Sequence, residues 1–214
     1  MSTTGQEYLT PKERRQRNRR EMIENILDIA RTLMRENGVA ALSLNEIARR
    51  LGMKTPSLYV YFPSKMALYD ALFYRGIQQF ARQMAAATGA EVPVIDQLRR
   101  SMEAYMAFAV ENPDLYQLLF ERPVPGFVPS EESMAASLAA LQGARDQVAQ
   151  AIESGELRTG LPAEVATDLT IALSHGLTAL HMANDPQLPL GEGRFGRLIP
   201  AAVALFETAW RKEE

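Results

Sequence analysis

Apolar side chains recur every three or four residues along most of the chain, which is the spacing of an α-helix with one buried face. The first such run spans about 18–37 and ends before Gly38, a residue type that readily adopts the left-handed conformation of helix ends. Later runs, separated by proline and glycine, lie at about 94–111, 113–120, 130–153, 162–183 and 195–212. No alternating strand pattern competes with them. The pattern therefore predicts an all-α fold of about nine helices.

A short second helix is predicted after Ser43. The serine stands three residues before Glu46 and directly before an apolar run, which is the spacing of a capping box at a helix N-terminus. Gly52 ends this helix after about two turns.

Two further helix starts follow closely. Thr55 as cap, with Pro56 in the first helical turn, predicts a third helix that ends before Pro63. Ser64 then caps a longer fourth helix that fades near Gly89. The predicted inward face of this fourth helix consists of Ala67, Leu68, Ala71, Leu72 and Ile77. In the last predicted helix, Pro200 either introduces a kink or marks the true first turn.

Residues 42–65, LSLNEIARRLGMKTPSLYVYFPSK, place two short helices on either side of a tight turn. This is the geometry of a helix-turn-helix, in which the second helix enters the major groove of DNA. Its polar-tipped residues, Lys54, Thr55, Ser57, Tyr59 and Tyr61, are free to face a groove. Aromatic side chains in such a segment also pack into cores, so Tyr59 and Tyr61 can serve either role.

Charge is distributed unevenly along the chain. The net charge is -3, yet residues 1–65 carry 12 Lys and Arg against 7 Asp and Glu, whereas the remainder carries 11 against 19. A basic head on an acidic body is suited to a protein of which only the head is drawn to a polyanion. Residues 1–17 are basic and lack apolar periodicity, so they are predicted to form a flexible arm.

Composition excludes several function classes. Hydrophobic residues make up 47% of a 214-residue chain, which is enough for a substantial core. Cysteine is absent, and the sequence contains no phosphate-binding glycine loop, no nucleophile elbow and no pair of histidines at metal-ligand spacing. We therefore expect no enzymatic activity, no cofactor and no metal ion. Without a long apolar run or an apolar N-terminal segment, a cytoplasmic protein with no membrane contact is expected.

The order S-L-x-E-I-A-x-x-L-G followed by S-L-Y-x-Y-F-P-S-K resembles the signature of the TetR family of bacterial regulators over about 50 residues. His175 and Gly176 resemble a pair found in one subgroup of that family's C-terminal domains. The resemblance implies a helix-turn-helix domain at 18–66 and an effector-binding and dimerisation domain at 67–214. It further implies a repressor that a small apolar or aromatic effector releases from a palindromic operator. The alternative is a helical interaction protein of the same fold that does not use DNA.

Carried over residue by residue, the resemblance implies a set of DNA contacts. The groove contacts are Lys54, Thr55, Pro56, Ser57 and Tyr59, and the phosphate contacts are Ser43, Tyr61 and Lys65. Many family members have a small residue, lysine and glycine where this chain has Lys54, Thr55 and Pro56, so its base preference should differ. In the arm, Arg14, Arg15 and Arg17 either reach a minor groove or raise non-specific affinity.

The body is expected to bind a second copy of the chain and an effector. A single short recognition helix reads few bases, so such proteins bind palindromes as homodimers. The expected dimer interface consists of Leu169, Leu173, Leu177, Leu180, Ala202, Leu205, Phe206 and Ala209. The expected effector pocket consists of Met102, Tyr105, Met106, Tyr116, Phe120, Phe127, Met134 and His175. Taken alone, these soft and aromatic side chains fit an ordinary core equally well.

Overall fold

The computed structural model describes residues 10–89 and 92–210, and within them it contains helices and no strand. The all-α prediction is confirmed. The chain divides into two compact units, residues 1–72 and 73–214. The boundary lies inside the fourth helix, whereas the sequence analysis placed it at the start of that helix, after residue 66.

The first unit is built on one long helix and a set of short ones. Its elements are α1 (Pro11–Asn37), a single 3-10 turn (Val39–Ala41), α2 (Leu44–Arg50), α3 (Thr55–Leu58) and the start of α4 (Lys65–Ala87). A small apolar core holds them together, to which every one of these elements contributes. Its most deeply buried side chains are Ile26, Ala30, Ile47, Ala48, Leu58, Leu68, Tyr69 and Leu72.

Helix α1 begins earlier than the sequence predicted. The Thr10 side chain accepts from the backbone N–H of Glu13, and the Glu13 carboxylate accepts from the backbone N–H of Thr10, which completes a capping box. Pro11 occupies the first turn, where its missing N–H has no cost. Residues 11–17 are therefore helical, which corrects the prediction of a flexible arm over 1–17. Residues 1–9 of that arm lie outside the described residues.

The short helices of the head form close to their predicted positions, with two differences in their caps. The Ser43 hydroxyl accepts from the N–H of Glu46, while the Glu46 carboxylate binds Arg49 and Arg50. Lys54 occupies the N-cap position of α3 without a capping hydrogen bond from its side chain, and Thr55 is the first helical residue rather than the cap. Helix α3 is only four residues long.

The second unit contains the remaining helices. They are α5 (Val94–Glu111), α6 (Pro113–Phe120), α7 (Glu131–Glu153), α8 (Ala163–Asn184), α9 (Gly193–Gly196) and α10 (Ile199–Trp210). Helix α8 packs against α5, α7 and α9, and α5 also contacts α6 and α10. The predicted last helix is thus two, and Pro200 lies in the first turn of α10. Among the helices of the described ranges, none is both long and apolar enough to cross a lipid bilayer.

Candidate nucleic-acid interface and aromatic cluster

The segment from α3 to the start of α4 has one buried and one exposed side. Leu58 and Phe62 are buried, whereas Ser57 is exposed and Tyr59 and Val60 are 49% and 67% exposed. After Leu58 the chain continues as a turn, in which the N–H groups of Tyr61 and Phe62 donate to the Leu58 carbonyl. Two apolar anchors therefore hold the segment while its polar side chains point to solvent. Tyr59 belongs to the exposed surface rather than to the core.

Arg19 of α1 fixes the end of this turn. Its two terminal guanidinium nitrogens donate to the backbone carbonyl of Val60, both at 3.3 Å. The same guanidinium lies 5.3 Å from the centre of the Tyr61 ring, within the range of a cation–π interaction. Sequence reasoning missed this contact, because no local pattern reports a pairing across 41 residues.

The first residues of α4 hold the 3-10 turn that precedes α2. The Lys65 ammonium donates to the Ala40 carbonyl at 3.2 Å, and the Tyr69 hydroxyl donates to the Val39 carbonyl at 2.6 Å. Burial raises the pKa of Tyr69 to about 12, so its hydroxyl stays a donor at neutral pH. Lys65 thus has a structural partner. Its phosphate contact stays a prediction.

An ion-pair network joins α1 to α2. Arg50 binds Glu36 of α1 at 2.6 Å and Glu46 of its own helix at 3.1 Å, and Arg49 binds Glu46 at 2.6 Å. The hydrogen bonds from Arg49, followed by those from Arg50, lower the pKa of Glu46 to about 2. The network holds α2 against α1, and Ser43 remains exposed at the start of α2.

The three arginines assigned to the arm all lie exposed on α1. Arg14, Arg15 and Arg17 belong to its first two turns, and Arg17 forms an ion pair with Glu21 at 3.4 Å. Because these residues are helical, their directions are set by the geometry of α1.

An aromatic cluster lies in the second unit, at the meeting of α4, α5, α6 and α8. It consists of Phe80, Tyr105, Phe108, Tyr116, Phe120 and His175. Phe80 makes edge-to-face contacts with Tyr105, Phe108 and Phe120 at centroid distances of 5.2–5.4 Å. Sequence reasoning found Tyr105, Tyr116, Phe120 and His175 but missed Phe80, whose helical spacing looks like that of any core residue.

A polar group lies inside this apolar cluster. Nδ1 of His175 is 3.0 Å from the Tyr105 hydroxyl and 3.4 Å from the Tyr116 hydroxyl. Burial, with a contribution from Tyr116, raises the pKa of Tyr105, and burial raises that of Tyr116 to about 12. Both phenols therefore stay protonated and can donate to the imidazole. When Nδ1 accepts, the imidazole proton is on Nε2, which is then a donor.

The other residues of the predicted pocket lie elsewhere. Met102 and Met106 belong to a separate core cluster with residues of α8 and α10. The Phe127 ring lies tilted against that of Phe73 with the ring centres 6.1 Å apart, and Met134 is 40% exposed on α7. The predicted residues therefore do not pack as one cluster, because apolar character does not show which way a helix turns its side chains.

The predicted dimer interface divides in the same way. Leu177, Ala202 and Phe206 are buried in the core of the second unit, and Leu173 packs against the same clusters. The three buried residues are corrected to core residues, and the interface role of the half-buried Leu173 stays a prediction. The exposed members are Leu169, Leu180, Leu205 and Ala209.

The exposed members extend into two apolar stripes on α8 and α10. The stripe on α8 consists of Val165, Leu169, Ala172, Gly176 and Leu180, and that near α10 consists of Leu198, Ala201 and Leu205. A carbon added at Gly176 would meet no heavy atom within 4 Å, so the surface of α8 is open there.

Comparison with protein families gives two matches. The family described as "Bacterial regulatory proteins, tetR family" matches residues 26–72, and "Tetracyclin repressor-like, C-terminal domain" matches residues 98–203. Together the two matches span more than half of the chain.

Individual proteins agree with these matches. The HTH-type transcriptional regulator Rv1816 of Mycobacterium tuberculosis is 30% identical over 148 residues, which cover 67% of this chain and 63% of that protein. The match thus spans less than two thirds of that relative's length. A Rhodococcus sp. RHA1 protein with unknown function has a TM-score of 0.76 at 20% identity, covering 99% of this chain and 100% of the other. The TetR family regulator PfmR of Thermus thermophilus has a TM-score of 0.65 at 20% identity, and the match covers 85% of this chain and 96% of PfmR.

Proposed function

The chain belongs to the TetR family of bacterial regulatory proteins, and on that basis we propose that it is a DNA-binding transcriptional repressor controlled by a small molecule. The observation that carries the proposal is the segment from Lys54 to Phe62, which we call the recognition segment. Its buried anchors hold a short, exposed, polar surface on the basic end of the chain. A regulator of this kind acts in the cytoplasm, where its DNA is.

The head residues that the sequence singled out each have a proposed role in binding. Thr55 and Ser57 contact base edges in the major groove, with Lys54 and Tyr59 beside them, and the apolar ring of Pro56 contacts a thymine methyl. Ser43, Tyr61 and Lys65 contact phosphates, which fix the register without reading sequence. The Lys65 ammonium has three donors, so it can bind a phosphate while it keeps its bond to the Ala40 carbonyl. Arg14, Arg15 and Arg17 add positive charge that attracts the duplex.

We propose that the functional species is a homodimer formed through the α8 and α10 stripes. Two copies present two recognition segments, which suits a palindromic operator with half-sites one helical turn apart or a multiple of it. The small residues Ala172 and Gly176 allow two copies of α8 to approach closely.

The effector is proposed to bind at the aromatic cluster. Six rings favour a ligand with an aromatic or flat apolar body, and the His175 imidazole supplies a donor or an acceptor that orients it. Binding favours a conformation in which the two recognition segments no longer match the half-site spacing, so the affinity for DNA falls.

Selection from a library of randomised duplexes tests the DNA-binding function. The purified chain is incubated with the library near 0.1 M salt, and the retained duplexes are sequenced. Enrichment of a palindrome supports a dimeric sequence-specific regulator. Recovery of no common sequence, or of no duplex at all, contradicts the proposal.

A further inference from the structure

Helix α1 extends well beyond the core of the first unit. Its C-terminal half is packed through Ile26, Ala30 and Leu33, whereas every residue from Pro11 to Arg20 is exposed. The exposed part is held by its own cap at Thr10 rather than by burial.

This exposed part carries an unusual density of one charge. Its basic residues are Lys12, Arg14, Arg15, Arg17, Arg19 and Arg20. Like charges three and four residues apart repel one another on a helix, so this density costs some helix stability, which the ion pair of Arg17 with Glu21 offsets in part. A polyanion on one side of the helix would attract these side chains and offset their mutual repulsion.

The contact made by Arg19 shows which side of α1 faces the recognition segment. Arg19 binds the Val60 carbonyl and the Tyr61 ring. At 3.6 residues per turn, Arg15 and Lys12 lie within about 40° of Arg19 around the helix axis. Arg14 and Arg17 lie about 140° and 160° away. Only the first two therefore share the side on which the recognition segment lies.

The helical state also restricts how Arg15 can approach DNA. An α-helix with its side chains is about 10–12 Å wide, whereas the minor groove of B-DNA is about 6 Å wide. A helical Arg15 thus cannot enter a minor groove with its backbone. Long, exposed basic side chains still reach phosphates from outside. Along the axis of α1, Arg15 lies about 6 Å and Lys12 about 10 Å from Arg19. Two or three successive phosphates of one DNA strand span the same length.

We propose that Lys12 and Arg15 form a basic ridge that binds the DNA phosphates flanking each operator half-site. Arg14 and Arg17, on the other side of α1, add only long-range attraction. This inference rests on the proposed DNA-binding function and names an additional contact surface for it. The ridge extends the stretch of duplex that the protein contacts, but it does not add to the bases that are read.

The test compares two double variants of equal charge. Lys12→Gln with Arg15→Gln removes the ridge, and Arg14→Gln with Arg17→Gln removes two exposed charges from the opposite side. Glutamine is a good helix former, so circular dichroism should show unchanged helicity in both. Affinity is measured by fluorescence anisotropy at several salt concentrations. One probe is the duplex selected from the library with six base pairs of flank at each end, and the other is the same duplex without flanks.

The ridge variant should bind the flanked duplex with a shallower dependence of log affinity on log salt. Each lost phosphate contact lowers the slope by about 0.9, so four contacts in a bound dimer lower it by about four. The control variant should change the slope by less than about one. On the unflanked duplex, the wild type and the ridge variant should bind alike.

Two other outcomes are distinguishable. If both double variants lower the slope equally, or if the flanks make no difference to the wild type, the ridge does not exist although DNA binding stands. If the wild type binds no duplex, the proposed function fails and the ridge with it.

Discussion

Some single residues in the head make structural contacts that no local sequence pattern predicts. Arg19 and Val60 are 41 positions apart, and their contact depends on how α1 packs against the recognition segment. By contrast, the Ser43 and Ser64 caps were predictable, because each bonds to a backbone N–H only three residues away. Hydrogen bonds between residues close in sequence, such as helix caps, can therefore be predicted from the sequence, whereas contacts between distant residues cannot.

Glu46 gives the head a dependence on acid pH. Its pKa is lowered from 4.5 to about 2, so its ion pairs stabilise the fold fully above pH 4.5 and are lost as the pH falls towards 2. Glu46→Gln keeps the shape of the side chain and removes its charge. We expect the variant to melt about 1–3 °C below the wild type at pH 7, since the pairs are at the surface.

The difference between Glu46→Gln and the wild type should shrink as the pH is lowered from about 5 to about 2, the range between the pKa of the carboxylate in the unfolded chain and its lowered pKa in the fold. Thermal melts followed by circular dichroism measure it. Glu132→Gln, at the exposed start of α7, is the matched control and should show no such convergence. A constant difference at all pH values would mean that Glu46 acts through its shape and not its charge.

At the scale of helices, the sequence predicted where most elements lie but not which faces they bury. Helices α8 and α10 are apolar on more than one side, so Leu177 and Phe206 looked as suitable for an interface as Leu169 and Leu205. The structure buries the first pair and exposes the second. The start of α1 was missed for a related reason. Its lack of apolar periodicity outweighed the capping pattern of Thr10, Pro11 and Glu13.

The exposed stripes on α8 and α10 make a testable prediction about assembly. Leu205 is 68% exposed, so Leu205→Glu leaves the core of the protomer intact but would bury a charge in the proposed dimer. We expect this variant to sediment as a monomer at micromolar concentrations, where the wild type is a dimer. Its affinity for the selected duplex should fall by about 100-fold or more, because only one recognition segment then binds at a time.

Val128→Glu provides the control for the dimer. Val128 is 78% exposed and lies in the loop before α7, outside both stripes. The control should remain dimeric with an unchanged melting temperature. If Leu205→Glu also remains a dimer, the interface lies on another surface.

For the whole molecule, the proposal requires that an effector bound in the second unit weakens DNA binding by the first. Helix α4 belongs to both units, so one element carries residues of each. We expect that, in a thermal-shift panel of aromatic and flat apolar compounds, those that stabilise the chain also release it from the selected duplex.

Tyr105→Phe tests whether the aromatic cluster is the effector site. The substitution removes the hydroxyl that faces His175 but keeps the ring. The affinity for a stabilising compound should fall about three- to tenfold, while DNA affinity without the compound is unchanged. Met134→Leu, on the exposed side of α7, should alter neither. Unchanged compound affinity in Tyr105→Phe would place the effector elsewhere.

The central claim is that the segment from Lys54 to Phe62 reads DNA sequence. The most direct test measures the affinity of the wild type and of Ser57→Ala for the selected duplex and for a scrambled duplex of equal length, at the same salt concentration. The wild type should prefer the selected duplex by about 1,000-fold or more. Ser57→Ala should lose about tenfold on the selected duplex and nothing on the scrambled one. Equal affinity of the wild type for both duplexes would contradict the account.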